Sequence, residues 1–491
     1  MRVLFAALLA TTIAAAPATA ATLVSQLTIA NGTDLSGLQG TGQNRLGGFG
    51  SDLVYNATDG LFYGMSDRGP GGGVLSYAPR IQAFSLDVDA NTGALGAFTL
   101  QKTVIFTQAD GTTFNGLNPQ LLNGNSAQLG SSLDPEGLAM LPNGNFLVSD
   151  EYGPSIYEFD AGGKFVRAFQ TPANLVPKTA TTTTNYVDGR PTITTGRQDN
   201  RGFEGLTLSP DGKTAYAVLQ DPLVNEGRNP NNGNADGRFS RNVRIVAYDV
   251  ATGESTGQFI YQLEPLADIN GRVAADFDAN SQGRSIGVSA IQSLGNGKFL
   301  ILERDNRGLS VDGTVSTEVA SKRIYQIDLT GATNVANVSL AGTNDLPLGV
   351  TAAAKVATPF IDIAAAMRAM GFQVPEKIEG FAFGPRLADG GITLIIATDN
   401  DFSVTQNGAG TQFDVCVNAG NTARVEVGLG AGCPTGFALI PNTLLSFRLS
   451  AAEYGALVGV VPEPTTWAMM VAGFALMGAS LRRRRRVVVA A

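Results

Sequence analysis

The sequence predicts an all-β protein, a β-propeller of about six four-stranded blades with loop insertions and one short helical insertion. Three observations support this: short β-prone runs alternate with Gly, Asn, Asp and Pro turns, a hairpin with acidic ends recurs, and helical patterning is scarce. The one convincing helical stretch is Phe360–Phe372, which Pro375 follows. With 44% hydrophobic and 15% charged residues among 491, the chain is too apolar to be disordered.

One unit shows the pattern of a whole blade. Glu136 begins a short apolar strand, Asn143-Gly144 turns the chain, and Asp150 ends the returning strand. Because Asn-Gly between apolar runs is a strong hairpin signal, antiparallel pairing returns Asp150 to the end at which Glu136 lies. Two further strands are predicted over Ser155–Asp160 and Lys164–Phe169, and four antiparallel strands in series make one blade.

The same hairpin recurs along the chain with variable spacing and inserted loops. Similar hairpins begin at Asp52, Glu204, Ala290 and Glu379, and a weaker unit covers Ile81–Phe106. Since the repeats run through the chain, we expect one propeller domain over residues 21–460 rather than three separate domains.

Composition restricts the chemistry that this chain can perform. It contains no histidine, which excludes Ser-His-Asp and Cys-His mechanisms, histidine phosphatases and zinc sites built on imidazole. Its 34 basic and 42 acidic residues give a formal charge of −8. Nucleic acid is therefore not an expected partner, because binding it requires a basic surface.

Residues 1–20 have the three-part layout of a secretory signal peptide. Arg2 precedes a predominantly apolar run over Val3–Ala16, and Ala18-Thr19-Ala20 supplies small residues before Ala21. The apolar run of 14 residues is too short to span a bilayer. We therefore expect export through the inner membrane rather than an N-terminal anchor.

The C-terminal residues 461–491 form a second sorting segment. Pro462-Glu463-Pro464 precedes an apolar stretch over Thr466–Leu481 and the cluster Arg482–Arg486. This order of parts resembles the PEP-CTERM sorting tail. The resemblance implies transient membrane anchorage, cleavage by an exosortase, and a final location at the cell surface or in the extracellular matrix of a Gram-negative bacterium. A permanent single-span anchor is the alternative.

The mature body is more acidic than the whole chain. Loss of residues 1–20 and 461–491 removes six basic residues and one acidic residue, which leaves 28 against 41 and a net charge of −13. Cys416 and Cys433 are the only cysteines. In an oxidising compartment we expect them to be bridged, two buried free thiols being the alternative.

Six short motifs carry a family resemblance through nearly the whole body. They are Ser66–Gly71, Asp134–Leu138, Asn200–Leu206, Leu302–Asp305, Lys377–Gly380 and Asp399–Phe402. In this order they resemble the phytase-like domain, also described as "esterase-like activity of phytase". The alternating carboxylates also resemble those of calcium-dependent β-propeller phytases and gluconolactonase-type propellers, an analogy of architecture that does not fix function.

If the hairpins form the inner strands, their acidic ends meet at one mouth of the central channel. Glu136, Glu204 and Glu379 begin such strands, while the carboxylates that end neighbouring strands are Asp67, Asp150, Glu151, Glu303, Asp305, Asp399 and Asp401. Together with Asn400 they form a set of oxygen ligands suited to Ca²⁺, the first choice, or to Mg²⁺ or Mn²⁺. Acid–Arg pairs that only fasten neighbouring blades are the alternative.

Two function classes remain. The first is a divalent-metal-dependent hydrolase of phosphate esters or related esters, in which Glu136, Glu204 or Glu379 positions water and Arg68, Arg201 and Arg304 bind an anionic small-molecule or polymer substrate. The second is a non-catalytic propeller that binds polysaccharide or protein in the exopolysaccharide matrix. The sorting tail favours neither class.

The two terminal segments predict how the native host processes the chain. Mature protein should begin near Ala21 and lack both Trp467 and Arg482–Arg486, because both sorting segments are removed. Intact-mass measurement of the surface form checks this. Retention of the arginine cluster would overturn the sorting prediction.

Overall fold

The computed structural model describes residues 21–119, 130–278, 285–311, 318–407 and 410–459. Its sheets are antiparallel and mostly four-stranded, and the predicted all-β propeller is confirmed. The predicted signal peptide and sorting tail lie outside the described residues.

The first three blades follow one another along the chain, and each is built from consecutive strands. With strands numbered in chain order, the first blade contains β4 (Asp52–Asn56), β5 (Leu61–Ser66), β6 (Arg80–Val88) and β7 (Leu95–Ile105). The second contains β8 (Pro135–Met140), β9 (Phe146–Asp150), β10 (Ser155–Phe159) and β11 (Phe165–Ala168). The third contains β14 (Phe203–Leu208), β15 (Thr214–Leu219), β16 (Asn242–Asp249) and β17 (Ser255–Gln262).

The last two blades are less regular. The fourth contains β18 (Ile286–Gly295), β19 (Lys298–Asp305) and β20 (Lys322–Asp328), with β21 (Ala354–Lys355) and β22 (Ile361–Asp362) both paired to β20. The fifth contains β23 (Ile378–Arg386), β24 (Ile392–Thr398) and β29 (Asn442–Leu449). Its outer strand is β1 (Thr22–Ile29), so the N-terminal strand completes the C-terminal blade.

A further sheet is inserted between β24 and β29. It contains β25 (Val404–Asn407), β26 (Thr411–Asn418), β27 (Arg424–Gly428) and β28 (Phe437–Leu439). A disulfide between Cys416 and Cys433, with a Cα–Cα distance of 5.7 Å, links β26 to the segment before β28, which confirms the predicted bridge. We call these four strands the inserted sheet.

Smaller elements complete the described chain. Two-stranded sheets pair β2 (Gly32–Thr33) with β3 (Arg45–Leu46) and β12 (Lys178–Thr179) with β13 (Ile193–Thr195). Short 3₁₀ turns occupy Gly237–Phe239 and Asp401–Ser403. The helices are α1 (Leu266–Asn270), α2 (Ile363–Ala369) and α3 (Ala451–Val458).

The inner strands β4, β8, β14, β18 and β23 contact one another in a ring around the channel. The unit predicted over Ile81–Phe106 is not a separate blade, because β6 and β7 cover it and extend the first blade from β5. In the described residues the predicted total of about six blades therefore resolves into five blades in the ring plus the inserted sheet.

The helical stretch predicted over Phe360–Phe372 is confirmed but shorter. The side chain of Asp362 accepts a hydrogen bond from the Ala365 amide at 3.0 Å and so caps the helix. Helix α2 therefore begins at Ile363, and it ends at Ala369, before Gly371. The other two helices were not predicted. For α3 the missed signal is the capping box of Ser450 and Glu453.

A bulge interrupts the inner strand of four blades at equivalent places. In β8, β14 and β23 the residues Glu136, Glu204 and Glu379 fall within the interruption, and in β18 Ser289 does. A bulge re-aims a side chain and bends its strand. These four side chains can therefore point into the channel mouth while their strands stay paired.

A glycine follows each bulged glutamate and permits close packing of neighbouring inner strands. A Cβ atom added to Gly137 would lie 2.6 Å from the backbone nitrogen of Leu206, and one added to Gly380 would lie 2.7 Å from Cα of Asp52. Both distances are shorter than a normal contact. In each repeated Glu-Gly pair the glutamate therefore places a carboxyl group at the mouth, and the glycine allows neighbouring inner strands to pack closely.

Gly205 offers a direct test of this packing. A Cβ atom there would lie 2.9 Å from Cα of Ala290 on the next blade, so Gly205→Ala should lower the free energy of unfolding by about 1–3 kcal/mol through overpacking. Gly428→Ala is the matched control, because no atom lies within 4 Å of its added Cβ. Urea unfolding of both variants measures the difference, and equal stability would contradict the packing argument.

Candidate active site at the channel mouth

A cavity of about 300 Å³ opens at the mouth of the channel. Seven of the predicted site residues line it: Arg68, Glu136, Glu151, Arg201, Glu204, Arg304 and Glu379. The three glutamates come from three different blades although 243 residues separate the first from the last. Their carboxylates are almost fully buried, with exposures of 8%, 2% and 3% for Glu136, Glu204 and Glu379.

Arg304 links two of these carboxylates. Its Nη2 lies 2.6 Å from Oε1 of Glu379 and 3.7 Å from Oε1 of Glu204, while its Nε donates to the Ser289 hydroxyl at 2.7 Å. Since β19 carries Arg304 and the bulge in β18 presents Ser289, the fourth blade supplies a cation where the other bulged blades supply acids. Arg304 is thereby fixed between the third and fifth blades.

The other two arginines are held by carboxylates at the rim. Nη1 of Arg68 lies 3.2 Å from Oδ2 of Asp134. Nε of Arg201 lies 3.2 Å from Oδ2 of Asp221, and its Nη1 lies 4.0 Å from Oε1 of Glu151. The Arg68 and Arg201 side chains keep 18% and 28% of their surface exposed. Each can therefore still contact a ligand that enters the cavity.

Two groups of carboxylates have the spacing of metal ligands and share Asp67. One comprises Asp67, Asp134 and Glu136, and the other Asp67, Asp399 and Asp401; within each group one oxygen per residue lies within 4.8 Å of the others. Nζ of Lys377 lies 3.1 Å from Asp399 and 2.6 Å from Asp401. The second group is thus partly neutralised by a lysine, whereas the first faces Arg68 through Asp134.

Four predicted ligands lie elsewhere, because their side chains serve the local fold. Asp150 accepts hydrogen bonds from the backbone amides of Asp134, Tyr152 and Gly153 at 2.9, 3.2 and 3.1 Å. The Asn400 side chain bonds Gly48 and Ile440, at 2.7 Å each. Both residues shape turns rather than the cavity.

Glu303 and Asp305 flank Arg304 on its strand and point away from the cavity. Strand alternation explains this, since neighbours of an inward residue face the other side. Glu303 pairs with Lys355 and the Tyr261 hydroxyl, and it accepts the Glu264 amide at 3.1 Å. Asp305 pairs with Lys322 at 3.0 Å. For these two residues the structure supports the role of fastening strands.

Sequence reasoning missed several residues of the mouth. Asp134 and Lys377 lie inside two of the six motifs, two residues before the predicted site residues Glu136 and Glu379. Gln220, Asp221 and Glu376 carried no signal in the sequence. It also missed that Gly283–Gly287 matches the pattern G-x-S-x-G. Ser285 lines the cavity, but the histidine base that such serines commonly use is absent from this chain.

Burial raises the pKa of several carboxyl groups at the mouth. For Glu136, burial and then the charges of Glu204 and Asp134 raise the pKa. For Glu379, burial raises the pKa to about 8 although Arg304 and Lys377 oppose the rise. The pKa values of Asp67, Glu151 and Asp399 are raised as well, again chiefly by burial.

The mouth holds more carboxyl groups than cations. Among the described residues, the four cations Arg68, Arg201, Arg304 and Lys377 face ten carboxylates: Asp67, Asp134, Glu136, Glu151, Glu204, Asp221, Glu376, Glu379, Asp399 and Asp401. In addition, Oε2 of Glu204 and Oε2 of Glu379 are buried without a hydrogen-bond partner. Unpaired buried oxygens are costly unless a proton or a cation satisfies them, so this donor set fits a hard divalent cation.

Two family models match this chain. The family model described as "Esterase-like activity of phytase" matches residues 44–402, which contain the five inner strands. The chain belongs to the Phytase-like family. A second model, the PEP-CTERM protein-sorting motif, matches residues 460–486 and supports export and exosortase-mediated sorting of this Phytase-like protein.

A curated relative from Arthroderma benhamiae, an "Uncharacterized secreted protein", is 30% identical over 349 residues. The match covers 59% of the chain and spans 66% of that relative's length. Among solved structures, luciferin-regenerating enzyme is 12% identical at a TM-score of 0.28, covering 82% of this chain and 92% of that one. Virginiamycin B lyase from Staphylococcus aureus is 10% identical at a TM-score of 0.29, covering 87% and 98%.

Membrane attachment was predicted through the tail of the Phytase-like protein. In the part of the chain that the structure describes, no helix is long and apolar enough to cross a bilayer. The stretch Thr466–Leu481, for which the span was predicted, lies outside that part.

The raised pKa values predict that an increase in pH lowers the stability of the cation-free protein and that Ca²⁺ opposes this loss. Between about pH 4.5 and 8 the folded state retains a proton on Glu379 that the unfolded state has lost. The folded state then binds more protons, so the free energy of unfolding in EDTA should fall as pH rises through this window. Because a cation binds the deprotonated carboxylates, Ca²⁺ should raise the melting temperature more at pH 8 than at pH 5.

Matched glutamine variants separate a shared cation site from structural pairing. Glu136→Gln, Glu204→Gln and Glu379→Gln should each reduce the Ca²⁺-induced shift, and Glu136→Gln should stabilise the protein in EDTA because it removes a repelling charge. Glu158→Gln is the control, since Glu158 is a buried carboxylate paired with Arg167 at 2.7 Å outside the cavity. Thermal melts that show no Ca²⁺ shift in the unmodified protein at pH 8 would contradict the cation site.

Proposed function

We propose that this chain is an exported, divalent-cation-dependent hydrolase of phosphate esters or related esters, acting at the channel mouth on the surface of a Gram-negative cell or in its extracellular matrix. One observation carries the proposal. Two carboxylate groups with ligand spacing share Asp67 beside a cavity into which three arginines and a lysine project. Carboxylates that hold a cation next to arginines that hold an anion suit ester hydrolysis.

The cation would be held by Asp67, Asp134 and Glu136, and Asp399 and Asp401, which share Asp67 as a neighbour, would supply further oxygens. Ca²⁺ is the first candidate, because it accepts six to eight oxygen ligands in a flexible arrangement. When bound, it supplies positive charge that polarises the ester group of the substrate.

The arginines bind the anionic group of the substrate. Arg68 and Arg201 reach the cavity from its rim with part of each side chain exposed. Arg304 lies deeper, with only 12% of its side chain exposed, and its salt bridge to Glu379 fixes its direction. Guanidinium groups form paired hydrogen bonds with phosphate and carboxylate oxygens, so the three together orient the ester above the glutamates.

Glu379 is the proposed general base. Its Oε1 is held by Arg304, while its buried Oε2 has no hydrogen-bond partner and can accept a proton from a water molecule. Its pKa of about 8 means that the deprotonated form, which acts as the base, predominates only above that pH, so turnover should increase as pH rises towards and past 8. Glu204, whose Oε2 is likewise unpaired, stabilises the position of Arg304 from the other side.

The first experiment is a divalent-metal analysis of mature protein, followed by phosphatase and esterase screens with each metal restored after EDTA treatment. Bound Ca²⁺ and cation-dependent turnover support the proposal. A protein that binds Ca²⁺ yet turns over no ester would overturn the hydrolase and favour the non-catalytic matrix-binding function.

The proposed base also predicts a specific kinetic change. Glu379→Gln should lower kcat by about 10²–10⁴-fold, because general-base catalysis contributes a factor of this order, and it should also raise KM, because the ion pair that directs Arg304 is weakened. Glu158→Gln, whose ion pair with Arg167 lies in the outer part of the second blade, should keep kcat. If Glu379→Gln changed kcat no more than Glu158→Gln does, Glu379 would not be the base.

A further inference from the structure

A second cavity, of about 620 Å³, adjoins the charged one. Glu376 and Lys377 line both, so the two spaces meet at these residues. The larger cavity lies between the loop after α2 and the inserted sheet, with Asp399 and Asp401 at the end nearest the charged site. Its volume falls within the roughly 300–1,000 Å³ typical of small-molecule sites.

The walls away from this junction differ in chemistry from the charged cavity. Apolar side chains come from the loop after α2 and from the inserted sheet: Phe372, Pro375, Val417, Phe437 and Leu439. In the charged cavity the lining consists mostly of Arg, Glu, Asp, Asn and Gln. A ligand that spans both spaces therefore meets charged groups at one end and apolar groups at the other.

The inserted sheet is held firmly as a wall. The disulfide joins Cys416 to Cys433 beside Val417 and opposite Leu439 in the register of β26 and β28. An ion pair of 2.6 Å connects Asp414 of this sheet to Arg45. These connections place the apolar wall before any ligand arrives, which reduces the entropic cost of binding.

A hydrogen bond also connects the two walls. The Gln373 side chain, from the loop after α2, donates to the carbonyl oxygen of Gly420 in the inserted sheet at 3.0 Å. The two walls are thus bonded to each other, and each is continuous in sequence with strands of the fifth blade. The space between them is a formed site for a side group of limited size.

Charge restricts what the larger cavity accepts. Among the described residues its ionisable lining comprises Glu376, Asp399 and Asp401 with the single cation Lys377, which already pairs with both aspartates. A second phosphate there would meet no arginine among these lining residues and would be repelled by Glu376. The cavity therefore suits an uncharged group and disfavours a polyphosphorylated ring.

We propose that the larger cavity binds the organic group of the ester, and that the substrates are monoesters with one anionic group and an apolar aryl or alkyl group. This inference rests on the proposed function, in which the anionic group binds at Arg68, Arg201 and Arg304. The inserted sheet then determines specificity through Leu439 and Phe437, while the carboxylates at the junction exclude polyanions.

Two phosphonates that resist hydrolysis test the inference without relying on turnover. In isothermal titration of the mature protein with Ca²⁺ present, phenylphosphonate should bind at least about tenfold more tightly than methylphosphonate, as expected for apolar contacts in a formed pocket. Leu439→Ala should reduce this ratio towards one. Ala438→Trp should do the same by filling the cavity, and since Ala438 is exposed, this variant removes no core contact.

Val425→Ala is the matched control. Val425 and Leu439 pair with the same residue, Cys416, from opposite sides of β26, but only Leu439 lines the cavity. The control should keep the ratio of the unmodified protein. Equal binding of both phosphonates, or hydrolysis of myo-inositol hexakisphosphate at the rate of phenyl phosphate, would overturn the inference and leave the anion site in place. Binding of neither phosphonate would overturn the proposed function itself.

Discussion

The close approach of neighbouring inner strands is the constraint on which the rest of this structure depends. Where Gly205 faces Ala290 and Gly380 faces Asp52, the backbones leave no room for a Cβ atom. A glycine alone can occupy such a position, and the residue before it is placed in a bulge that projects into the channel. The same dipeptide that packs the ring therefore also puts a glutamate at its mouth.

Convergence of these glutamates creates an electrostatic problem that the surrounding residues solve only in part. Arg304 pairs with Glu379 and approaches Glu204, and Lys377 partly neutralises Asp399 and Asp401. Buried oxygens of Glu204 and Glu379 still lack partners. A propeller that used these residues only to fasten its blades would pair each acid with a base, as it does for Asp305 with Lys322. The unsatisfied oxygens of Glu204 and Glu379 therefore mark these two residues as candidate functional acids.

Sequence periodicity predicted the blades well, because hairpin turns and strand alternation are local properties. The strand predicted over Ser155–Asp160 is one residue longer than β10. Pro135 pairs with Asp150, which places Asp150 at the same end of the hairpin as Glu136, as predicted. The number of blades was harder to predict, since β6 and β7 resemble a separate hairpin until their pairing with β5 is known. The inserted sheet was not predicted, although it pairs strands that are close in sequence, β25 with β26 and β26 with β27.

From the sequence, the candidate site could be predicted only where it depends on the repeated hairpins and on strand alternation. Glu136, Glu204 and Glu379 were identified because each opens a repeated hairpin, whereas Glu303 and Asp305 flank Arg304 on β19 and face the other side through strand alternation. At the bulge where three other blades carry a glutamate, the fourth blade carries Ser289, whose hydroxyl accepts a hydrogen bond from Arg304. A glutamate at that position would place a further carboxylate beside Glu204 and Glu379 and would compete with them for Arg304, so the departure from the repeat is what allows the acids of the other blades to remain together.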